Sequence, residues 1–329
     1  MANDPPGTIK VLSIDGGGIR GIIPSIILAA LAEQIGADLH TVFDLISGTS
    51  TGGIIALGIG TACNAGRPYA PAELLNLYVA NGPAIFHKTI FTLAQELNGP
   101  KYSPEPLEAC LQKFFGITKF SSALTPLLIS SYDLQSQLPF FFKSHKIARN
   151  PSYDWNVTDI ARSTSAAPTY FPPNHLTRGN ENYALVDGGT YVNNPAMAAY
   201  AEARRLYKSA TRLLVVAVGT GNVQDHITYE QSKGWGLLGW ARQIVPVLMD
   251  SVSEAVDFEL GCIRDCDYFR LQPEDLAPAS GAMDDVTPDN LAALQEAAHT
   301  YVTKNAAQLN KIAGLLKPLR ASSLPGIGS

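Results

Sequence analysis

The feature that most constrains the fold is a glycine-rich pentapeptide, Gly48-Thr49-Ser50-Thr51-Gly52, which stands between two apolar segments. Residues 43–47 have the composition of a short strand, and residues 53–59 have that of a helix. A tight strand-to-helix turn projects a serine hydroxyl, and flanking glycines let the strand and the helix approach without Cβ clashes. The pattern predicts that Ser50 is a nucleophile, although such pentapeptides also arise by chance in turns.

Strand-like and helix-like segments alternate along the chain. Strands are predicted at residues 10–15, 43–47, 126–132, 139–143, 183–186 and 212–218. Helices are predicted at residues 22–35, 53–59, 71–80, 104–115, 194–207, 235–260 and 288–316. This alternation predicts an α/β fold with a mostly parallel sheet that helices cover on both faces. Because no repeat or linker divides the chain, we predict one domain at 9–317, an N-terminal tail at 1–8 and a mobile tail at 318–329.

Composition excludes several classes of function. The chain of 329 residues has a net charge of −5 and scattered basic residues, so nucleic acid is not an expected partner. Its four cysteines lack the spacing of a metal site, and we interpret them as free thiols. The N-terminus lacks the features of a secretion signal, and the most apolar stretch, residues 22–32, is shorter than a membrane span. We therefore expect a soluble chain.

A second glycine turn, residues 15–21 with the sequence Asp-Gly-Gly-Gly-Ile-Arg-Gly, follows the first predicted strand. It satisfies the dinucleotide-binding pattern G-x-G-x-x-G, but the next strand ends in the Ser50 turn and not in the acidic residue that such a site expects. Backbone amides at a helix N-terminus also suit developing negative charge. We therefore predict an oxyanion hole in which Gly17 and Gly18 are donors and the Thr51 amide assists.

Two charged side chains flank these glycines. Arg20 suits phosphate recognition and surface pairing equally well, because its planar guanidinium group serves both. Asp15 is expected to be structural and to accept hydrogen bonds from amides within the turn.

A serine nucleophile needs a general base, and the histidines have no helpful setting. In the Ser, acid, His order of α/β-hydrolases, His226 or His299 would have to serve, but His226 lies in a polar loop and His299 in a predicted helix. Asp187 is placed better, because it ends an apolar strand just before two glycines. Aspartate is also common in turns for structural reasons, so both interpretations of Asp187 stay open.

Three ordered motifs together resemble the patatin family of lipid acyl hydrolases, and plant-type patatins in particular. The motifs are residues 15–21, residues 48–52 and Asp187-Gly188-Gly189. The likeness continues through residues 81–86 (Asn-Gly-Pro-Ala-Ile-Phe), 165–173 (Ser-Ala-Ala-Pro-Thr-Tyr-Phe-Pro-Pro), 192–195 (Val-Asn-Asn-Pro) and 219–221 (Gly-Thr-Gly). It spans nearly the whole chain and is far more specific than any single motif.

This resemblance implies a three-layer α/β/α sandwich and acyl hydrolysis without a metal or cofactor. Ser50 and Asp187 would form a Ser-Asp dyad, and Gly16, Gly17 and Gly18 would line the oxyanion hole. The implied substrate is a phospholipid or related lipid, reached through transient membrane or micelle contact. A soluble ester or a thioester is the alternative, and nucleotide binding a more distant one. The absence of the secretory signal of plant storage patatins favours a cytoplasmic protein, and the oligomeric state stays open.

A last segment, residues 235–240, places two tryptophans and two leucines within six positions. This composition suits a lipid interface or an acyl tunnel. Because apolar stripes on helices are usually buried, we expect it to pack in the core.

Overall fold

The computed structural model of the protein describes residues 7–87, 99–222 and 227–317. Its strands are β1 Thr8–Ile14, β2 Leu45–Gly48, β3 Leu127–Asp133, β4 Leu138–Lys143, β5 Asn174–Arg178, β6 Glu181–Asp187, β7 Arg212–Val218 and β8 Cys266–Leu271. Its α-helices are α1 Ile22–Ile35, α2 Leu39–Val42, α3 Thr51–Gly60, α4 Pro71–Ile85, α5 Glu105–Phe115, α6 Val157–Thr164, α7 Ala196–Leu206, α8 Tyr229–Ser232, α9 Leu237–Cys262, α10 Pro288–Lys304 and α11 Ala306–Leu316.

The strands form one eight-stranded sheet in the order β5-β6-β3-β2-β1-β7-β8, with β4 also paired to β3. Neighbours from β3 through β2, β1 and β7 to β8 are parallel, whereas β4 and β6 run antiparallel to β3, and β5 runs antiparallel to β6. The sheet is therefore mostly parallel, as the alternation of strands and helices predicted.

Strands β2 and β6 share one edge of β3. The paired residues are Gly48 with Ile129 in the β2 ladder and Asp187 with Ser131 in the β6 ladder. Strand β4 pairs with residues 128–133 of β3 and so takes the opposite edge. Because β2 is parallel and β6 antiparallel to β3, their C-terminal ends point toward each other. This topology brings two segments that are distant in sequence to one place.

Alternating side chains of the strands pack into two cores, one on each face of the sheet. Leu12 and Ile46 belong to a large core beneath helices such as α1, whereas Val11 and Leu45 belong to a smaller core beneath α7 and α9. Because side chains of successive strand residues point to opposite faces, a strand buried on both faces has an almost continuous apolar sequence. The result is a three-layer α/β/α sandwich.

The predicted elements are largely found, and β7 matches its predicted bounds. Strands β5 and β8 were missed, because both lie at the edges of the sheet and have polar or charged residues among the apolar ones. The helix-rich stretch predicted at 288–316 consists of two helices, α10 and α11, which are divided at Asn305. The predicted C-terminal tail, residues 318–329, lies outside the described residues, as do residues 1–6 of the N-terminal tail.

One segment in the described part of the chain, Gly18–Ile35, is long and apolar enough to cross a membrane by length and composition. Most of it is α1, and 61% of the segment is buried inside the fold. Helix α1 packs against α4, α10 and α11. The apolar character of α1 is therefore that of a core helix.

The expectation that residues 235–240 pack in the core was wrong for Trp240. Its side chain is 46% exposed, and its ring packs edge-on against that of Trp235, with 5.3 Å between the ring centroids. Helix α9 contributes buried residues further along, at Val256 and Leu260.

Candidate active site

Ser50 occupies a strained turn between β2 and α3. Its backbone has φ 54° and ψ −123°, a conformation that is costly for a residue with a Cβ atom. The glycines on either side permit the turn, because a Cβ at Gly48 would lie 2.2 Å from the Gly52 carbonyl oxygen and a Cβ at Gly52 would lie 2.1 Å from that of Ile14. The Ser50 amide donates to Thr164 Oγ1 at 2.9 Å, which helps to hold the turn. Such strain is typical of a nucleophile elbow.

Asp187 ends β6 and faces Ser50 across the shared edge of β3. Its side chain is buried at 2% exposure, and Oδ1 accepts a hydrogen bond from the Gly189 amide at 2.7 Å. Within the described part of the chain, Oδ2 has no hydrogen-bond partner of good geometry. One carboxylate oxygen thus fixes the orientation of the group, while the other is free to accept a proton.

Burial raises the pKa of Asp187 to about 7, because desolvation disfavours the charged carboxylate. The nearby Ser50 hydroxyl and the Gly189 amide oppose this rise but do not cancel it. A carboxyl group with a pKa near neutrality is a much better proton acceptor than an exposed aspartate.

The glycine turn lies against Ser50, with different roles for its three amides. The Gly16 amide donates to the Asn193 carbonyl oxygen at 3.1 Å, so it is not available to an oxyanion. Among the hydrogen bonds of residues 7–87, 99–222 and 227–317, none uses the Gly17 or Gly18 amide. Gly18 has φ +58°, a conformation that glycine adopts without strain. Of the three glycine amides, only those of Gly17 and Gly18 therefore remain candidates to donate to an oxyanion.

Thr51 is the first residue of α3 and contributes a third candidate amide. Its hydroxyl lies 2.6 Å from the Tyr78 hydroxyl, whereas its amide has no acceptor among the residues that the structure describes. The amide at the N-terminus of a helix carries a partial positive charge from the helix dipole. Gly18 and Thr51 line the pocket that holds Ser50, and Gly17 directly precedes Gly18. These three amides are therefore the candidates for stabilising an oxyanion.

Asp15 has a different partner from the one predicted. Its carboxylate does not bond to amides of the turn but accepts from Arg270 Nη2 at 2.6 Å, and Arg270 Nε lies 3.1 Å from Asp257. Asp257 also accepts from Asn194 Nδ2 at 2.9 Å. Burial raises the pKa of Asp15 to about 6 despite the nearby guanidinium. This buried network joins the glycine turn to β8, α9 and the segment after Asp187.

Arg20 contacts backbone in this structure, and its role in phosphate recognition stays a prediction. Its Nη1 donates to the Gly221 carbonyl oxygen at 3.1 Å, and its side chain is half-buried. Arg20 thus ties the glycine turn to the loop after β7.

An apolar pocket opens beside Ser50 and Asp187. The empty space between its walls is about 800 Å³, including the part that opens to solvent. The lining includes Gly18, Ser50, Thr51 and Asp187 at one end and the apolar residues Ile54, Leu77, Ile85, Phe86, Leu107 and Phe171 along the walls. The site therefore combines a serine, a carboxyl group and unpaired amides with an apolar compartment.

Comparison with known proteins identifies the family. Residues 12–200 match the family described as patatin-like phospholipase. The chain is 32% identical to Patatin-like protein 2 of Arabidopsis thaliana, over 93% of this chain and 86% of that protein. It is 34% identical to Patatin group J-1 of Solanum tuberosum, over 90% of this chain and 84% of that protein. The chain belongs to the patatin-like phospholipase family. The resemblance of its motifs to patatins is thereby confirmed.

Among solved structures, this patatin-like chain is similar to VipD from Legionella pneumophila, with 14% identity and a TM-score of 0.41. The match covers 95% of this chain and 68% of that one. A likeness at this level does not bear on function.

The histidines that the structure describes do not contribute to the lining of the patatin-like site. His299 is exposed on α10, and His145 pairs with Glu202, with 2.9 Å between His145 Nε2 and Glu202 Oε1. His226 lies outside the described residues. None of the histidines that the structure describes lines the pocket that holds Ser50.

Several patatin-like site residues were not assigned a role from sequence. Asn193 and Thr220 both pack against the glycine turn. A Cβ at Gly16 would lie 2.4 Å from Asn193 Oδ1, and a Cβ at Gly17 would lie 2.4 Å from Thr220 Oγ1. Both belong to segments that carry the family resemblance, so a signal for them existed. Met283 has no such signal, yet it lines the pocket, and its carbonyl oxygen accepts from the Ile19 amide at 2.8 Å.

Proposed function

We propose that this protein hydrolyses fatty-acyl esters of phospholipids or related lipids through a dyad of Ser50 and Asp187. The Ser50 Oγ attacks the acyl carbonyl carbon while Asp187 Oδ2 takes its proton. The amides of Gly17, Gly18 and Thr51 stabilise the resulting oxyanion. Collapse of the tetrahedral intermediate breaks the ester bond, and protonated Asp187 returns the proton to the departing alcohol. Asp187 then takes a proton from water, which attacks the acyl carbonyl carbon. As the bond to Ser50 Oγ breaks, Asp187 returns the proton to this oxygen and the fatty acid departs.

The observation that carries this proposal is the buried carboxyl group of Asp187, which faces a strained serine with one oxygen unpaired in the described structure. Burial raises its pKa to about 7, so at neutral pH a large fraction is ionised and able to accept a proton. A histidine normally supplies this matched basicity in serine hydrolases. The pKa of Asp187 supports a dyad that works without one.

The unpaired amides support stabilisation of the oxyanion. Backbone donors in this role need no reorganisation during the reaction, and each is worth about 2.7–4 kcal/mol in comparable sites. The close packing of Asn193 and Thr220 against Gly16 and Gly17 fixes the position of the donors before the substrate arrives.

Family membership and the apolar pocket support a lipid as substrate. The pocket walls beyond Ser50 offer almost only aliphatic and aromatic side chains, which suit an acyl chain and leave a charged headgroup unpaired. Comparing long-chain with short-chain esters at matched solubility would separate a lipid hydrolase from a soluble-ester esterase or a thioesterase. We expect kcat/KM to increase with chain length.

The nucleophile can be tested directly with a fluorophosphonate probe followed by peptide mapping. We expect covalent labelling of Ser50 in the wild-type protein and none in Ser50→Ala. Labelling should also be strongly reduced in Asp187→Asn, because the hydroxyl then lacks its proton acceptor. A wild-type protein that hydrolyses esters but carries the probe on another serine would refute the assignment.

The rate of ester hydrolysis should follow the ionisation of Asp187. We expect kcat/KM to fall about tenfold for each pH unit below about 7 and to level off above it, because only the ionised carboxyl group accepts the Ser50 proton. A pH profile with a soluble, non-ionising ester measures this midpoint. A midpoint near pH 4, the ordinary value for an exposed aspartate, would contradict the role of burial.

A further inference from the structure

The first half of α9 carries an exposed apolar face. Trp240, Ile244, Val247 and Leu248 are 46%, 39%, 36% and 46% exposed, respectively. Their spacing of four, three and one residues places them on one side of the helix, and we call these four residues the α9 face. Large apolar side chains grouped in this way usually mark an interaction surface.

This exposure is concentrated in one region of the chain. Of the twelve large apolar side chains that are exposed among the described residues, seven lie within residues 227–258. They include Tyr229 and Phe258, each 75% exposed. Scattered single exposures need no explanation, but such a concentration does.

The helix that carries the α9 face also contributes to the wall of the catalytic pocket. Met249, the residue after Leu248, is buried and lines the pocket. The Cε atom of Met249 would lie 3.0 Å from a Cβ at Gly189, whose amide bonds to Asp187. Because successive helix residues are roughly 100° apart, Met249 lies on the side of the helix opposite Trp240. One side of α9 therefore borders the site, and the opposite side points to solvent.

The chemistry of the α9 face suits the boundary between lipid headgroups and acyl chains. It contains no charged side chain, and its tryptophan combines a large apolar ring with one polar N–H group, as is common at membrane interfaces. The exposed Asp250 and Glu254 follow it on the same helix, and the whole chain has a net charge of −5. Attraction to anionic lipids is therefore not the source of binding.

We propose that the α9 face docks the protein on the surface of a lipid aggregate, with Trp240 and Leu248 inserted between the lipids, so that the pocket on the other side of α9 lies within reach of an acyl chain that passes around the helix. This inference rests on the proposed function, since it gives the site access to lipids that do not dissolve as monomers. Docking through apolar burial predicts binding to uncharged membranes that is insensitive to salt.

The test uses phosphatidylcholine vesicles and two double variants. Trp240→Gln/Leu248→Gln removes most of the α9 face, and Ile117→Gln/Leu138→Gln is the matched control, because Ile117 and Leu138 are 91% and 60% exposed elsewhere. Binding is measured by co-sedimentation in a Ser50→Ala background, so that hydrolysis does not alter the vesicles. We expect at least a tenfold weaker partition for the first variant and no change for the control, at both 0.05 M and 0.5 M salt, roughly a low and a high screening condition.

A soluble short-chain ester separates docking from catalysis. With Ser50 intact, both double variants should keep wild-type kcat/KM on this ester, and only Trp240→Gln/Leu248→Gln should lose activity on vesicles. Brominated lipids should quench the tryptophan fluorescence of the unaltered protein, and Trp240→Phe should lose much of that quenching.

Unchanged vesicle binding in Trp240→Gln/Leu248→Gln would overturn the docking proposal. So would a wild-type protein that ignores vesicles but forms dimers that the double variant does not form, since the α9 face would then serve a second copy of the chain. If the protein binds vesicles through this face but fluorophosphonate leaves Ser50 unlabelled, the proposed dyad fails and the docking surface stands.

Discussion

Replacing Asp187 with Asn is expected to lower kcat for ester hydrolysis by about 10⁴-fold or more, as the loss of an essential member of a catalytic serine site does elsewhere. An amide cannot take the Ser50 proton at any accessible pH. Its oxygen can still accept the Gly189 amide hydrogen bond, which is 2.7 Å long in the wild type, so the loop should keep its shape. Steady-state kinetics on a soluble ester measures the loss.

Ser50→Ala should be as inactive as Asp187→Asn, and the double variant should be no worse than either. Two groups that act as one unit have strongly non-additive effects, because the loss of one already removes the function of the other. As a control, His299→Ala should retain wild-type kinetics, because His299 is exposed on α10. A well-folded His299→Ala variant without activity would show that the base has been misassigned.

Asp187→Asn should also stabilise the fold. A variant that is inactive but more stable than the wild type has lost its chemistry and not its structure. Since burial raises the pKa of Asp187 from 3.8 to about 7, the folded state binds a proton more tightly than the unfolded state. The free energy of unfolding therefore falls as pH rises from about 4 to 7, and the cost of the ionised group is fully present above that range. Asp187→Asn removes this cost, so its melting temperature should exceed that of the wild type at pH 8.

Replacing Arg270 with Leu is expected to lower the free energy of unfolding by about 3–5 kcal/mol, the usual result of removing one partner of a buried ion pair. Arg270 and Asp15 are 17% and 3% exposed in their side chains, and Asp257 lies on the other side of the guanidinium group. Without Arg270, two carboxyl groups would lose their shared cation. Urea denaturation at pH 8 measures the change.

Arg212→Leu is the matched control for this experiment. Arg212 pairs with Asp267 between the neighbouring strands β7 and β8, but the two side chains are 46% and 39% exposed. Solvent screens such a pair, so its removal should change stability little. Equal losses in the two arginine variants would mean that the network around Asp15 has no special importance.

The pH dependence of the Arg270→Leu variant gives a second measurement. Loss of the guanidinium raises the pKa of Asp15 above its wild-type value of about 6. Ionised Asp15 then costs more in the folded state, so the difference in stability between the two proteins should grow as pH rises above 6. A difference that stays constant with pH would show that the effect comes from packing and not from charge.

Local patterns in the sequence were enough to predict the strands β1 and β7 and the two glycine turns, and they indicate Ser50 as the nucleophile. Each depends on a few adjacent residues, since only glycine permits the close approach at Gly48 and Gly52, and the apolar run of β7 suits a strand buried on both faces. The order of the motifs was also enough to indicate the family. For the strands and the turns, the physical cause lies within one short segment of chain.

The tertiary structure decided which of these segments meet. Asp187 reaches Ser50 because β2 and β6 share one edge of β3, and no local pattern specifies that pairing. The partner of Asp15 is 255 residues away, and the exposure of Trp240 depends on what packs against α9 and not on the composition of the segment. Proton affinity, availability of an amide and exposure are properties of a residue's surroundings in space. For that reason they follow from the fold and not from the order of the residues alone.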